Sequence, residues 1–127
     1  MLYQLLFVGL GGATGSMARF LLSSNVLAGY SIMGFPAGTF AVNIVGSLMI
    51  GVFMSLLSNG SASQWFFITG VCGGFTTFST FSADMVNLIK LQKWDAATLY
   101  IMLSIVIALA CTMAGMWLGT VLKKMFA

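Results

Sequence analysis

Apolar residues gather along this chain into four long runs, roughly 5–22, 35–57, 65–89 and 96–122. Each matches or approaches the ~20 residues that a helix needs to cross ~30 Å of hydrocarbon. Short polar stretches at 23–34, 58–64 and 90–95 separate them, and almost nothing else is left over. The pattern predicts an all-α membrane protein of four transmembrane helices, forming a single transmembrane domain over residues 1–127. Pro36 stands near the start of the second run, where its missing N–H costs little. The first run lacks a basic leading region and a convincing small-residue cleavage site, so it is expected to be a retained span rather than a cleaved signal.

Polar residues inside these runs are costly in lipid and need partners, which makes them the functional candidates. Asn43 lies near the middle of the second run, with Thr39 and Ser47 one turn to either side. Interhelical hydrogen bonding is the plainer use of such a stripe. In the fourth run Tyr100 and Ser104 share a face, and Thr112 follows two turns beyond Ser104. Asp84 is the sole acid deep in a run. Arg19, near the end of the first, is placed to snorkel and anchor at the interface, and it and Asp84 are candidate vestibule or interface charges.

The third run is the least like a simple span, because it carries "GVCGGFTTFSTFS" over residues 70–82. Glycine weakens a helix, and threonine and serine offer the backbone other partners. Gly73 and Gly74 followed by Thr76 and Thr77 predict a helix break. Counted from Trp65 at 1.5 Å per residue, it falls ~13 Å along, close to the bilayer midplane. Non-helical backbone survives at that depth only when buried in protein or lining an aqueous space. Carbonyls freed at such breaks bind Na⁺ in transporters. After the break, Phe78 and Phe81 are three apart and so share a face. A phenyl ring has a positive edge, which can stabilise a small anion without a fixed cation that would trap it. Packing is the commoner fate of such a pair.

Composition agrees with the hydropathy pattern: 60% of the 127 residues are hydrophobic and 6% are charged, against about a quarter charged in soluble domains. The net charge of +3 comes from five basic residues near run ends, where they can meet phospholipid headgroups, and does not suggest nucleic acid. With four spans, both termini and the 58–64 loop share one side, which holds Lys123 and Lys124, plus the terminal amine where it is free. The other side holds Arg19, Lys90 and Lys93. The lysine and arginine bias that sets orientation is therefore almost nil. Either five charges make a noisy count, or the chain inserts both ways and oppositely oriented copies pair.

Pairing has separate support, since four thin helices enclose little space of their own. Gly11 and Gly15, Gly34 and Gly38, Ser47 and Gly51, and Gly115 and Gly119 have the small-residue spacing that lets helices approach closely. These pairs suit contacts within one subunit as well as between two. An enzyme is excluded. There is no histidine, Cys72 and Cys111 fall inside runs as packing residues without metal-ligand spacing, and Asp84 and Asp95 belong to different segments. The glycines of "GLGGATG" follow no strand, so a phosphate loop fails on context.

"GGFTTFSTFS" in the third of four runs, with "GTFAVNIVG" in the second, resembles the Fluc (CrcB) family of bacterial fluoride channels. The resemblance covers essentially the whole chain. It implies an antiparallel dual-topology homodimer in the bacterial cytoplasmic (inner) membrane, whose two pathways let fluoride out passively and so reduce its toxicity. It also implies a structural Na⁺, not transported, held at the twofold axis by the carbonyls of Gly73 and Thr76 from both subunits. On the same resemblance, Asn43, Phe78 and Phe81 would line each fluoride pathway with Ser79 and Thr80 nearby. Tyr100 and Ser104 would begin a polar track on the fourth helix. Two positions depart from the family pattern: Asp84 stands where glutamate is expected, and Ala108 where the track should continue.

The chemistry suits that implication. Fluoride is small and strongly hydrated, so a selective path must replace water with close donors, and Asn43, Ser79, Thr80 and Tyr100 can donate. Hydrogen fluoride enters uncharged and dissociates in a more neutral cytoplasm, and a membrane potential negative inside then drives the anion out. The alternative is a small dual-topology, proton-coupled exporter of cationic compounds with Asp84 as its titrating acid. Asp84 would lie ~10 Å from the midplane, shallow for a shared central acid. A helical assembly subunit explains the glycines but not the clustered hydroxyls.

Overall fold

The computed structural model describes residues 1–127, and the chain is helical apart from short connections. Three helices are long and apolar enough to cross a membrane: Leu2–Val26, Ala37–Leu56 and Trp94–Met125. The first runs as an α-helix over Leu2–Leu21 and widens into a π-helical turn at Leu22–Val26. The last helix, of 32 residues, would span ~48 Å, more than the hydrocarbon requires. It opens with Asp95 in its first turn and closes with Lys123 and Lys124, so its charges complement the helix dipole at both ends. The apolar runs cover only part of the first and last helices and slightly overrun the second, Ala37–Leu56. Backbone hydrogen bonding carries the first back to Leu2, and the last past 96–122 at each end.

Large apolar side chains stand outward over much of the molecule, among them Leu6, Leu10, Ile105, Leu109, Met113 and Trp117. A water-facing surface does not carry so much contiguous apolar area. Such an outside with hydrogen-bonded helices inside is what a bilayer demands. The chain is an all-α, multi-pass membrane protein.

The helices pack as two pairs. The second lies along the last, and the first lies along the leading half of the third run. Each pair closes on glycine. A Cβ at Gly51 would overlap the Thr112 carbonyl, and one at Gly115 the Leu48 carbonyl. In the other pair, Gly11 and Gly15 meet the Phe66 and Val71 carbonyls as closely. Ser55 adds a hydrogen bond from its hydroxyl to the Met116 carbonyl at 2.9 Å. The small-residue pairs at 11/15 and 115/119 thus serve seams within one chain. In the pair at 34/38, Gly38 does meet the Ser23 backbone closely, but Gly34 is not part of a helix. Gly34 sits with Met33 in a left-handed turn (φ 90° and 50°) that joins the two-residue strands Ser31–Ile32 and Phe35–Pro36. The second helix begins only at Ala37, with extended Pro36 before it.

The third run is two helices. The leading half passes from Ala62–Gln64 through a π-helical stretch, Trp65–Cys72, to Gly73–Phe75. Thr76 and Thr77 are extended, and the trailing half then runs over Phe78–Lys90. It buries Phe81 and Leu88 against Phe35, Ala96, Ala97 and Tyr100, the main buried cluster of the chain. The predicted break is present, but Gly73 itself is helical (φ −63°, ψ −38°), and the chain opens at the threonines. The neighbouring glycine allows a close helix contact instead, since a Cβ on Gly74 would overlap the Gly12 carbonyl of the first helix.

Candidate functional site at the broken helix

Backbone groups buried in a membrane protein must find partners, so the break is best understood by following its hydrogen bonds. Thr76 turns back, its N–H and its hydroxyl both donating to the Cys72 carbonyl at 3.0 and 2.9 Å. Thr77 is bound by Asn43 on both sides. Its N–H donates to Asn43 Oδ1 at 2.7 Å, and its carbonyl accepts from Asn43 Nδ2 at 3.0 Å. Asn43 thus pairs with one extended residue as a neighbouring strand would. Ser47, one turn on, spends its hydroxyl on the Asn43 carbonyl at 2.7 Å.

The trailing half then starts with a side-chain cap. Thr77 Oγ1 accepts from the Thr80 N–H at 3.1 Å, satisfying one of the unpaired donors of the first turn. The same oxygen lies 3.3 Å from Ser79 Oγ and donates to Thr80 Oγ1 at 3.0 Å. Three hydroxyls therefore cluster at a helix N-terminus, where the dipole is positive and favours an anion. On the other side of the break, the Gly74 carbonyl accepts from Arg19 Nε at 3.1 Å. Ser16 Oγ lies 3.5 Å from the same oxygen, at the outer limit of such a bond. The carbonyls of Gly73, Phe75 and Thr76 accept no hydrogen bond.

Phe78 and Phe81 sit side by side on the first turn, with ring centroids 5.7 Å apart. They face different surroundings: Phe78 is 79% exposed on the surface of the single chain, Phe81 only 9%. The Phe81 ring meets the Tyr100 ring edge-on at 4.8 Å, and Phe35 stacks on Tyr100 at 4.6 Å. Tyr100 is fully buried, and its hydroxyl donates to Asp84 Oδ2 at 3.1 Å.

Two cavities flank these groups. One, of about 490 Å³, is lined by Tyr30, Ser23, Thr39, Thr80, Asp84 and Asn87 among others. The other, of about 410 Å³, is an open groove along the break that includes Asn43, Ser47, Thr69, Gly73, Thr76 and Phe78. Thr77 and Thr80, hydrogen-bonded to each other, connect the two.

Most of the residues singled out in the sequence therefore meet in one region: Asn43, Gly73, Thr76, Phe78, Ser79, Thr80, Phe81, Asp84 and Tyr100. Ser104, one turn beyond Tyr100 and half-buried, lines neither cavity. Thr112 is spent on the Ala108 carbonyl at 3.0 Å. Arg19 differs most from expectation, because its Nε turns inward to the break. Sequence reasoning also missed Thr77 as the cap and Ser16 beside Arg19. The spacing of Ser16 and Arg19, three apart in an apolar run, was the available signal.

Known proteins resemble this chain in sequence. A family model described as "CrcB-like protein, Camphor Resistance (CrcB)" matches residues 6–116. A protein of Bacteroides fragilis named "Fluoride-specific ion channel FluC" is 38% identical over 125 residues, 94% of this chain and 98% of its own length. Proteins of the same name from Paracoccus denitrificans and Agrobacterium fabrum are 42% and 45% identical, covering 94% and 88% of this chain and 96% and 92% of their own.

Proposed function

Because the chain belongs to the CrcB family, we propose that it is a fluoride channel, in which two antiparallel copies carry the anion passively out of the cell. The observation that carries this reading is the match, over nearly the whole length, to relatives named as fluoride-specific ion channels. The protein is not an enzyme.

In this reading the chain crosses the bacterial cytoplasmic (inner) membrane four times, the third crossing being the two half-helices. The anion path runs by the N-terminus of the trailing half. A fluoride ion shedding water there meets Asn43, which keeps one amide hydrogen free of Thr77. It also meets the hydroxyls of Ser79 and Thr80, and the ring edges of Phe78 and Phe81. Tyr100 and Ser104 continue the path on the last helix. None of these groups carries a fixed positive charge, so the ion can leave.

A second copy is supported by the groove along the break, which is open and exposes Asn43, Ser47, Thr69 and Thr76 yet would lie at membrane depth. Phe78, so exposed in one chain, belongs under such a cover. The unpartnered carbonyls of Gly73 and Thr76 are hard oxygen donors that suit a sodium ion. Two from each copy would hold it, and the bound ion would tie the two breaks together without being transported. The opposite ends of the half-helices give the arrangement its electrostatic logic: carbonyls favour the cation, N–H groups and hydroxyls the anion.

Efflux from liposomes containing the purified protein tests the reading. Fluoride should leave under a potential alone, chloride and organic cations should not. Efflux of an organic cation driven by a proton gradient, with no fluoride current, would replace the channel by the coupled exporter that uses Asp84.

A further inference from the structure

We infer that Arg19 is a positioning residue for the break: by taking up the Gly74 carbonyl, it leaves the Gly73 and Thr76 carbonyls to form the cation cradle. The inference rests on the sodium-linked dimer proposed above and assigns Arg19 its part in it.

An arginine inside an apolar run is expensive, and one placed there as an anchor extends toward the headgroups. Arg19 is half-buried, and its Nε instead donates to a carbonyl 55 residues along the chain, 3.1 Å away. That carbonyl ends the leading half-helix, where the dipole is negative and a cation is favourable. The first helix is fixed there by backbone contact, since Gly12 presses on Gly74 so closely that a Cβ would not fit.

The helix end offers the carbonyls of Gly73, Gly74, Phe75 and Thr76 in succession around a turn, and they cannot all face one ion. Cys72 is held by Thr76 and Thr77 by Asn43. Arg19 withdraws Gly74 toward the first helix. The carbonyls of Gly73, Phe75 and Thr76 remain, and of these residues only Gly73 and Thr76, three apart, line the open groove. The planar guanidinium donates along a fixed direction, whereas a lysine ammonium would be a mobile point charge.

The experiment measures fluoride efflux from liposomes while Na⁺ is titrated against an impermeant organic cation on both sides. Wild type is compared with Arg19→Leu, Arg19→Gln and Arg19→Lys, each checked for dimer assembly. Loss of one charge-assisted hydrogen bond should raise the Na⁺ midpoint about tenfold in Arg19→Leu, with flux recovered at high Na⁺. Arg19→Lys should fall between. A vestibule charge would behave otherwise: Arg19→Lys would match wild type, and Arg19→Leu and Arg19→Gln would lose flux at every Na⁺ concentration with the midpoint unmoved. That result overturns the inference and leaves the dimer reading intact. Wild-type fluoride flux indifferent to Na⁺ would remove the cation site, and this role of Arg19 with it.

Discussion

At the scale of single residues, the two phenylalanines separate packing from conduction. Phe78 has almost no neighbours to lose within its own chain, being 79% exposed. Phe78→Ile should therefore leave the fold of the subunit intact while removing a ring edge from the anion path. Phe81→Ile should do both, because its ring also meets Tyr100 edge-on, a contact worth about 1 kcal/mol. Fluoride flux should drop sharply in each, with thermal stability in detergent lowered only for Phe81→Ile. Wild-type flux through assembled dimers of either variant would reduce that ring to packing. Asp84 separates the channel from the coupled exporter. Its carboxylate accepts from Tyr100 at 3.1 Å beside the larger cavity. Asparagine keeps an acceptor there and loses the charge. Asp84→Asn should retain a fluoride current that needs no proton gradient; transport that depends strictly on such a gradient and disappears in this variant points to the exporter.

At the scale of elements, the break shows what pattern can and cannot reveal. Four apolar runs, the interruption of the third and the polar stripe around Asn43 were legible, because lipid imposes hydropathy and buried polar groups stand out against it. The position of the opening was not. Glycine lowers the cost of both an unwound backbone and a close helix contact, and nothing in the local sequence says which is used. Gly74 serves the contact with Gly12, while capping by Thr77 and the Asn43 clamp set the opening. The inward reach of Arg19 depends likewise on which helix lies beside the first. The two glycines therefore make a paired test. Gly74→Ala should cost about 1–3 kcal/mol through overpacking, and lower the unfolding temperature whatever the oligomeric state. A Cβ at Gly73 meets nothing within 4 Å of its own chain. Damage from Gly73→Leu should appear as loss of dimer and of flux on a subunit that still folds. A folded, dimeric, fully conducting Gly73→Leu protein would mean that no partner backbone approaches there.

At the scale of the whole molecule, the pairing of the helices leaves the groove along the break open, and orientation decides what can close it. A parallel copy would bring two helix ends together with their dipoles aligned. The proposed antiparallel copy would instead face the two breaks with their dipoles opposed, so that the free Gly73 and Thr76 carbonyls of both chains could converge across the twofold axis. With the four crossings proposed, the charges permit insertion both ways: Lys123 and Lys124 would stand on one side, and Arg19, Lys90 and Lys93 on the other. Since Arg19 is engaged at the break, it contributes little at the surface, and the balance becomes two against two. Such a balance is easily tipped. Two lysines added within residues 58–64 should bias the chain to one orientation, because four crossings would put that loop and both termini on one side. Expressed alone, this variant should assemble poorly and carry little fluoride. A second variant with two lysines added within residues 90–95 should be biased the opposite way and equally inactive. Together the two should recover flux, since each supplies the orientation that the other lacks. Uniform insertion of either variant alone, verified by labelling a cysteine placed in the 58–64 loop and accompanied by full fluoride flux, would exclude the antiparallel pair and require the groove to be closed by a parallel copy.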